Sequence, residues 1–175
     1  MSASIVVTLT GPDRVGIVEQ VAEALLGVQG NVESSRMARL GGDFALIMLV
    51  SLPSADLALI DRAFEGLAEQ GYQISIRATE AAADSYAGWP RYRIEVVGAD
   101  HEGIVREIAR GLARQGINIE SAETSTASAP TTGQPLFSMS AVVLVPPSLD
   151  EAEWMAALAE AGADANVDVE ATLAE

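Results

Sequence analysis

The chain carries one pattern twice, and that repeat limits its folds more than any other feature. Ile5–Ser35 aligns without gaps on Tyr92–Ala122 at a constant offset of 87, with 10 of 31 positions identical. A second block follows: "FALIMLVSLP", Phe44–Pro53, aligns with "FSMSAVVLVP", Phe137–Pro146, at an offset of 93. The second copy therefore holds six more residues between its blocks. Self-similarity at this period calls for two copies of one supersecondary unit. A length of 175 residues suits one domain or two small ones, and the repeat selects two. The expected boundaries are a first domain over 1–80, a linker "AAADSYAGWP" over 81–90, and a second domain over 91–175.

Each copy reads the same way along the chain. Ile5–Thr10 is rich in β-branched residues and ends at Gly11, which predicts a strand. Val18, Val21, Ala22 and Leu25 then recur at i, i+3, i+4 and i+7, one face of a helix, and Val105, Ile108, Ala109 and Leu112 repeat it. "GNVESSRMARL" predicts a strand turning at Gly41-Gly42, a tight hairpin signal. "DFALIMLVSL" is apolar on both faces, as a central strand is. Pro53 stops it, and Ser54 is the expected cap of a helix that carries Ile60, Ala63, Phe64 and Leu67. Gly71 ends that helix, and Tyr72, Ile74 and Ile76 alternate as a last strand. In the second copy "TASAPTTGQP" predicts a longer hairpin loop, and a weakly patterned last strand is expected near 165–169.

The order is βαββαβ, twice. Right-handed crossovers put both helices of a copy on one face of a four-stranded antiparallel sheet. The expected class is α+β: two ferredoxin-like domains, paired edge to edge because such sheets expose edge strands that seek partners.

Charge restricts the function. The net charge is −15, from 25 acidic and 10 basic residues, and every basic residue is Arg. Such a chain repels phosphate backbones and gathers no basic stripe, so direct nucleic-acid binding is not expected. It has no Cys, which excludes disulfides and thiolate chemistry. No charged leader precedes the first apolar run, and no stretch approaches the ~20 apolar residues of a membrane helix. A soluble, cytoplasmic protein is expected.

The repeated strand–helix junction is where chemistry is expected. Gly11 and Gly98 stand where the strand should turn and a ligand could approach the backbone. Asp13 and Asp100 hold the expected N-cap positions, and Gly16 and Gly103 keep the first helical turn free of bulk. A bare helix N-terminus favours an anionic group such as a carboxylate. Asn31 and Asn118 open the next strand, expected at that same end of the sheet, and offer a donor and an acceptor to an α-amino or α-carboxylate group. A strand–helix turn also needs Gly and an Asp cap for folding alone, and Asp13 would repel a carboxylate beside it; both readings stand at this point.

"GPDRVGIVEQVAEAL…GNVESSRMARLGGDFALIML" resembles the ACT domain, a small-molecule-sensing module with this fold. The tandem pair with a longer hairpin in copy two is similar to the glycine cleavage system transcriptional repressor family, over about residues 4–170. The resemblance implies an amino-acid-sensing regulator without a catalytic domain. It places a small amino acid, glycine in the repressor family, between two domains. Its implied contacts are Asp13, Arg14, Val15, Gly16, Ile17 and Asn31 in copy one, and Asp100, His101, Glu102, Gly103, Ile104 and Asn118 in copy two. It further implies action through a protein partner, a DNA-binding transcriptional activator, and a homodimer. The family often carries Pro before the motif glycine, where this chain has Val15 and Glu102. His101 replaces Arg14 in copy two, so the two loops should differ in affinity.

Other readings of these residues differ in class. Asp100-His101-Glu102 has the composition of a proton-transfer or metal cluster, but consecutive turn residues diverge and no second His or Cys completes a site. No phosphate loop, activated nucleophile or metal spacing appears, so no enzyme and no cofactor are expected. The first copy also resembles the ACT module that precedes a formyltetrahydrofolate hydrolase domain, absent here. A ligand-free interaction scaffold and a regulatory ACT subunit of a metabolic enzyme remain as alternatives. Arg36 and Arg39 are expected on a solvated or partner-facing surface.

Overall fold

The computed structural model describes residues 3–53, 56–79, 85–129 and 133–174. The chain divides into two compact units, Met1–Ala83 and Asp84–Glu175. The first runs β1 (Ala3–Pro12), α1 (Ile17–Gly27), β2 (Asn31–Leu40), β3 (Asp43–Leu52), α2 (Leu57–Glu69), β4 (Gln73–Thr79). The second runs β5 (Arg91–Ala99), α3 (Ile104–Arg114), β6 (Asn118–Ser128), β7 (Pro135–Leu144), α4 (Glu151–Asp164), β8 (Val167–Leu173). The sheets are antiparallel with strand orders β2-β3-β1-β4 and β6-β7-β5-β8. The expected βαββαβ ferredoxin-like unit is therefore present twice.

In the first unit Ile5, Val7 and Leu9 on β1 and Phe44, Leu46, Met48, Val50 and Leu52 on β3 are buried against Ile17, Val21 and Leu25 of α1 and Ile60, Phe64 and Leu67 of α2. Both helices thus cover one face of the sheet. The opposite face carries Thr10, Ala45 and an exposed Ile47, so β3, although central, buries only one face within its unit. The second unit buries Ile94, Val96, Met139, Ala141 and Val143 against Ile104, Ile108, Leu112, Trp154 and Leu158. Trp154 packs edge-on to Tyr92, ring centroids 4.9 Å apart.

Several local expectations are met, others not. Gly41 and Gly42 form a two-residue hairpin with φ of 60° and 97°, the positive pair that a type I′ turn demands. Asp56 accepts from the Leu59 amide at 3.2 Å and caps α2; the expected cap, Ser54, lies outside the described residues. Asp150 caps α4 through the Glu153 amide at 3.1 Å. The last strand starts and ends later than 165–169, at Val167–Leu173, since α4 continues to Asp164. The helix phase differs too: Ile17 and Ile104 lead the buried stripes, and Val18 and Val105 are exposed.

The repeat extends to irregularities. β2 carries a bulge between Val32 and Ser34, and β6 one between Ile119 and Ser121, so Glu33 and Glu120 occupy the same extra position. The units differ between their helices. A Cβ on Gly111 would lie 2.7 Å from Ala161 Cβ, so α3 and α4 meet closely, leaving a hollow of about 140 Å³. Between α1 and α2 a groove of about 690 Å³ opens instead, lined by Ala24, Gly27, Ala63 and Gly66.

Candidate functional site

The β1–α1 and β5–α3 loops are built on the same device. Gly16 and Gly103 are the N-caps, with φ of 89° and 97°, and neither helix start has a side-chain cap. In that left-handed region a Cβ crowds the backbone, which explains the glycines. The expected Asp N-caps are thus corrected. Asp13 and Asp100 sit three residues too early, and their amides instead donate to Gly42 O and Pro135 O, both at 3.0 Å. Each loop is thereby tied to the hairpin end of its own sheet. The bare helix N-terminus remains, with Glu19 and Glu107 already in the first turns.

Gly11 and Gly98 differ from expectation as well. Neither marks the turn: β1 continues to Pro12 and β5 to Ala99. On the Cβ side the space is filled by protein, since a Cβ would lie 2.5 Å from Tyr72 Cδ1 at Gly11 and 2.6 Å from Val167 Cγ1 at Gly98. Each glycine also lines an open hollow, of about 520 Å³ at Gly11 and about 690 Å³ at Gly98.

In the first loop the side chains diverge. The Asp13 carboxylate accepts from Arg39 Nε at 2.6 Å, linking the loop to the end of β2. Arg14 turns to the helix layer, donating to Gln20 Oε1 and Gln70 Oε1, both at 2.6 Å, with its guanidinium 5.6 Å from the Tyr72 ring centroid. The Tyr72 hydroxyl donates to Pro12 O at 2.7 Å. Val15 is fully exposed and Ile17 is in the core. Of the loop polar groups, the Asp13–Arg39 pair faces outward and Arg14 is engaged within its unit.

The second loop is more acidic. His101 places Nδ1 3.0 Å from Glu102 O and Nε2 2.7 Å from Ala165 O, both carbonyls of its own unit. Its pKa is raised above 6.5, first by the Glu102 carbonyl, then by that of Ala165, with desolvation opposing and Asp100 adding. Ile104 is buried, and Glu107 is held by Arg106 at 2.9 Å and by Arg110. Among the described residues no His, Asp or Glu group is placed to hold a metal, and no helix is long and apolar enough to cross a membrane.

The asparagines are not brought to these loops within a unit. Asn31 pairs with Ser51, level with Ser4, whereas the loop follows Pro12, level with Asp43. Nine residues of strand, about 30 Å, lie between. Asn118 pairs with Leu144, level with Arg91, likewise at the far end from Asp100. The expectation of one shared end is corrected: helix α1 carries the chain back along β1 before β2 begins. Sequence reasoning also missed Arg39, Gln20, Gln70 and Tyr72. Arg39 comes near Asp13 because the Gly41-Gly42 turn sets it opposite Phe44 on β3, and Phe44 in turn pairs with Gly11 on β1.

Residues 3–77 match the family model of the ACT domain. A crystal structure of a protein of unknown function from Galdieria sulphuraria is 41% identical, covers 100% of both chains and superposes with a TM-score of 0.87. The chain belongs to the ACT-domain family. The family model covers the first ACT unit, and the second follows by the internal repeat and the identical strand order. A candidate glycine cleavage system transcriptional repressor of known structure covers 100% of this chain and 99% of its own, at 18% identity and a TM-score of 0.73, a likeness of fold. No curated protein matches the chain.

Proposed function

We propose that this tandem ACT protein is an amino-acid-sensing regulator, akin to a glycine cleavage regulator, that acts through a protein partner and not by direct DNA contact. The observation that carries the reading is the duplicated loop. In each unit a glycine-capped helix start without a side-chain cap stands behind charged side chains, and in the first unit the outward Asp13–Arg39 pair offers both signs to a zwitterion. A free amino acid has one carboxylate and one ammonium, so a paired acid and base at a helix start match its ends. The first loop is the stronger site, since Arg39 is, among the described residues, the one cation there that remains exposed, with 70% of its side chain accessible. Asn31 and Asn118 join such a site only from another domain. Antiparallel pairing of β2 with a second ACT edge sets the start of one strand beside the end of the other, and so an asparagine beside a loop. The fold supports that pairing by setting β2 at the edge of its sheet.

The test is thermal unfolding against each free amino acid, glycine first. A ligand at about 100 times its Kd stabilises the fold by roughly 2.7 kcal/mol. The expected result is a raised midpoint with one small amino acid, lost in Arg39→Ala and in Asn31→Ala. No shift at millimolar concentration sinks the sensor reading and favours a ligand-free interaction scaffold, which the exposed Val32, Met37 and Leu40 on β2 would serve.

A further inference from the structure

His101 is the only histidine in the chain, and both its ring nitrogens face carbonyl oxygens. A carbonyl only accepts, so both contacts are hydrogen bonds only when both nitrogens carry a proton. A neutral ring, in either tautomer, sets one nitrogen lone pair against an oxygen lone pair. One of the two carbonyls belongs to Ala165, the C-cap of α4, at the negative end of that helix. The charged groups that flank the contact are Asp100 and Glu102 on the loop, and Asp164 and Asp168 on either side of the α4–β8 turn. Arg106, the first cation of α3, is paired with Glu107.

Copy one solves the same problem with a different cation. Arg14 stands at the motif position of His101 and reaches Gln70, the C-cap of α2. In both units, then, a basic side chain on the strand–helix loop reaches the C-terminal end of the second helix. The arginine holds its charge at every accessible pH, and the imidazole does not.

We infer that His101 is a proton-sensitive strap, which when charged ties the second unit's β5–α3 loop to the end of α4 and when neutral releases it, while Arg14 holds the first loop at all pH. That the strap regulates amino-acid binding in the second unit rests on the function proposed above; the strap itself does not. The folded pKa is raised, so the tie is complete below the ordinary value of about 6.5 and is lost as pH rises through the folded value.

The experiment is an NMR titration of the isotope-labelled, full-length, ligand-free protein from about pH 5 to about pH 9. One histidine gives one set of ring signals. The ring is expected to titrate above 6.5 with both nitrogens protonated at low pH, and the amides of Gly103 and Asn166 to shift with the same midpoint. In His101→Arg those amides should stop titrating; in His101→Gln they should stay at their high-pH positions throughout. A ring midpoint at or below 6.5, or loop amides that do not follow the ring, overturns the strap. Amides that still titrate in His101→Arg trace the movement to Asp100 or Glu102 and overturn it as well. Amino-acid binding is measured separately on the same variants, so a strap that titrates without any amino acid binding would sink the sensor function alone.

Discussion

At the level of single residues, the motif glycines are required for two different reasons, which substitution separates. Gly103 has φ of 97° with nothing within 4 Å of an added Cβ, so its cost is backbone strain alone. Gly103→Ala should lose about 1–2 kcal/mol, and Gly103→Asn clearly less, because Asn tolerates the left-handed region. Gly98 is not in that region but faces Val167, with contacts at 2.6 Å to the side chain and 3.1 Å to its Cα. There Gly98→Ala should cost about 1–3 kcal/mol through overpacking, and Asn, being larger, at least as much. Urea unfolding of the four variants checks the pattern; Asn better than Ala at both positions would refute the distinction. The glycines themselves stand out in the sequence by recurring in both copies. Their reasons do not, because a φ sign and a neighbour 69 residues away are both products of the folded chain.

At the level of elements, the helix phase shows where a repeat stops being informative. Val21 and Leu25 fit two stripes equally, one led by Val18 and one by Ile17, and both leaders are β-branched. The choice falls to the cap: a left-handed Gly16 aims the first helical residue, Ile17, into the core. Copy two gives the test. Ile104→Ala should cost about 2–5 kcal/mol, the range for an emptied core position. Val105→Ala, at a half-exposed site, should stay within about 0.5 kcal/mol. Equal losses would mean that the stripe runs through Val105 after all. The same limit misplaced Asn31. Strand and helix periods along the chain gave the order βαββαβ and the hairpin at Gly41-Gly42, but the end of the sheet at which β2 begins depends on the register that ties Asn31 to Ser51 and Ser51 to Ser4. Arg39 was missed for the mirror-image reason: its partner Asp13 is 26 positions away in sequence and adjacent only once β2, β3 and β1 lie side by side.

At the level of the whole molecule, charge decides how the fold responds to its solvent. Asp84–Glu175 holds 15 of the 25 acidic residues and five of the ten arginines, so most of the net charge of −15 falls on the second unit. Against this stand four ion pairs among the described residues: Asp13–Arg39, Glu120–Arg91, and Glu107 with both Arg106 and Arg110. In each of them the arginine is substantially exposed, and exposed pairs contribute about 0–1 kcal/mol. Salt screens attraction and repulsion alike, with a screening length of about 10 Å at 0.1 M. The sign of the response therefore reports which is larger. An excess of unpaired carboxylates makes self-repulsion the larger quantity. The thermal midpoint should rise as NaCl goes from about 0.02 M to about 0.2 M, where screening changes most. Chloride is the anion to use, because sulfate also strengthens apolar burial and would raise the midpoint for another reason. A midpoint that falls would mean that the ion pairs outweigh the repulsion. The same negative field predicts no retention of duplex DNA at any salt concentration, and a partner that meets this molecule through charge must present basic residues.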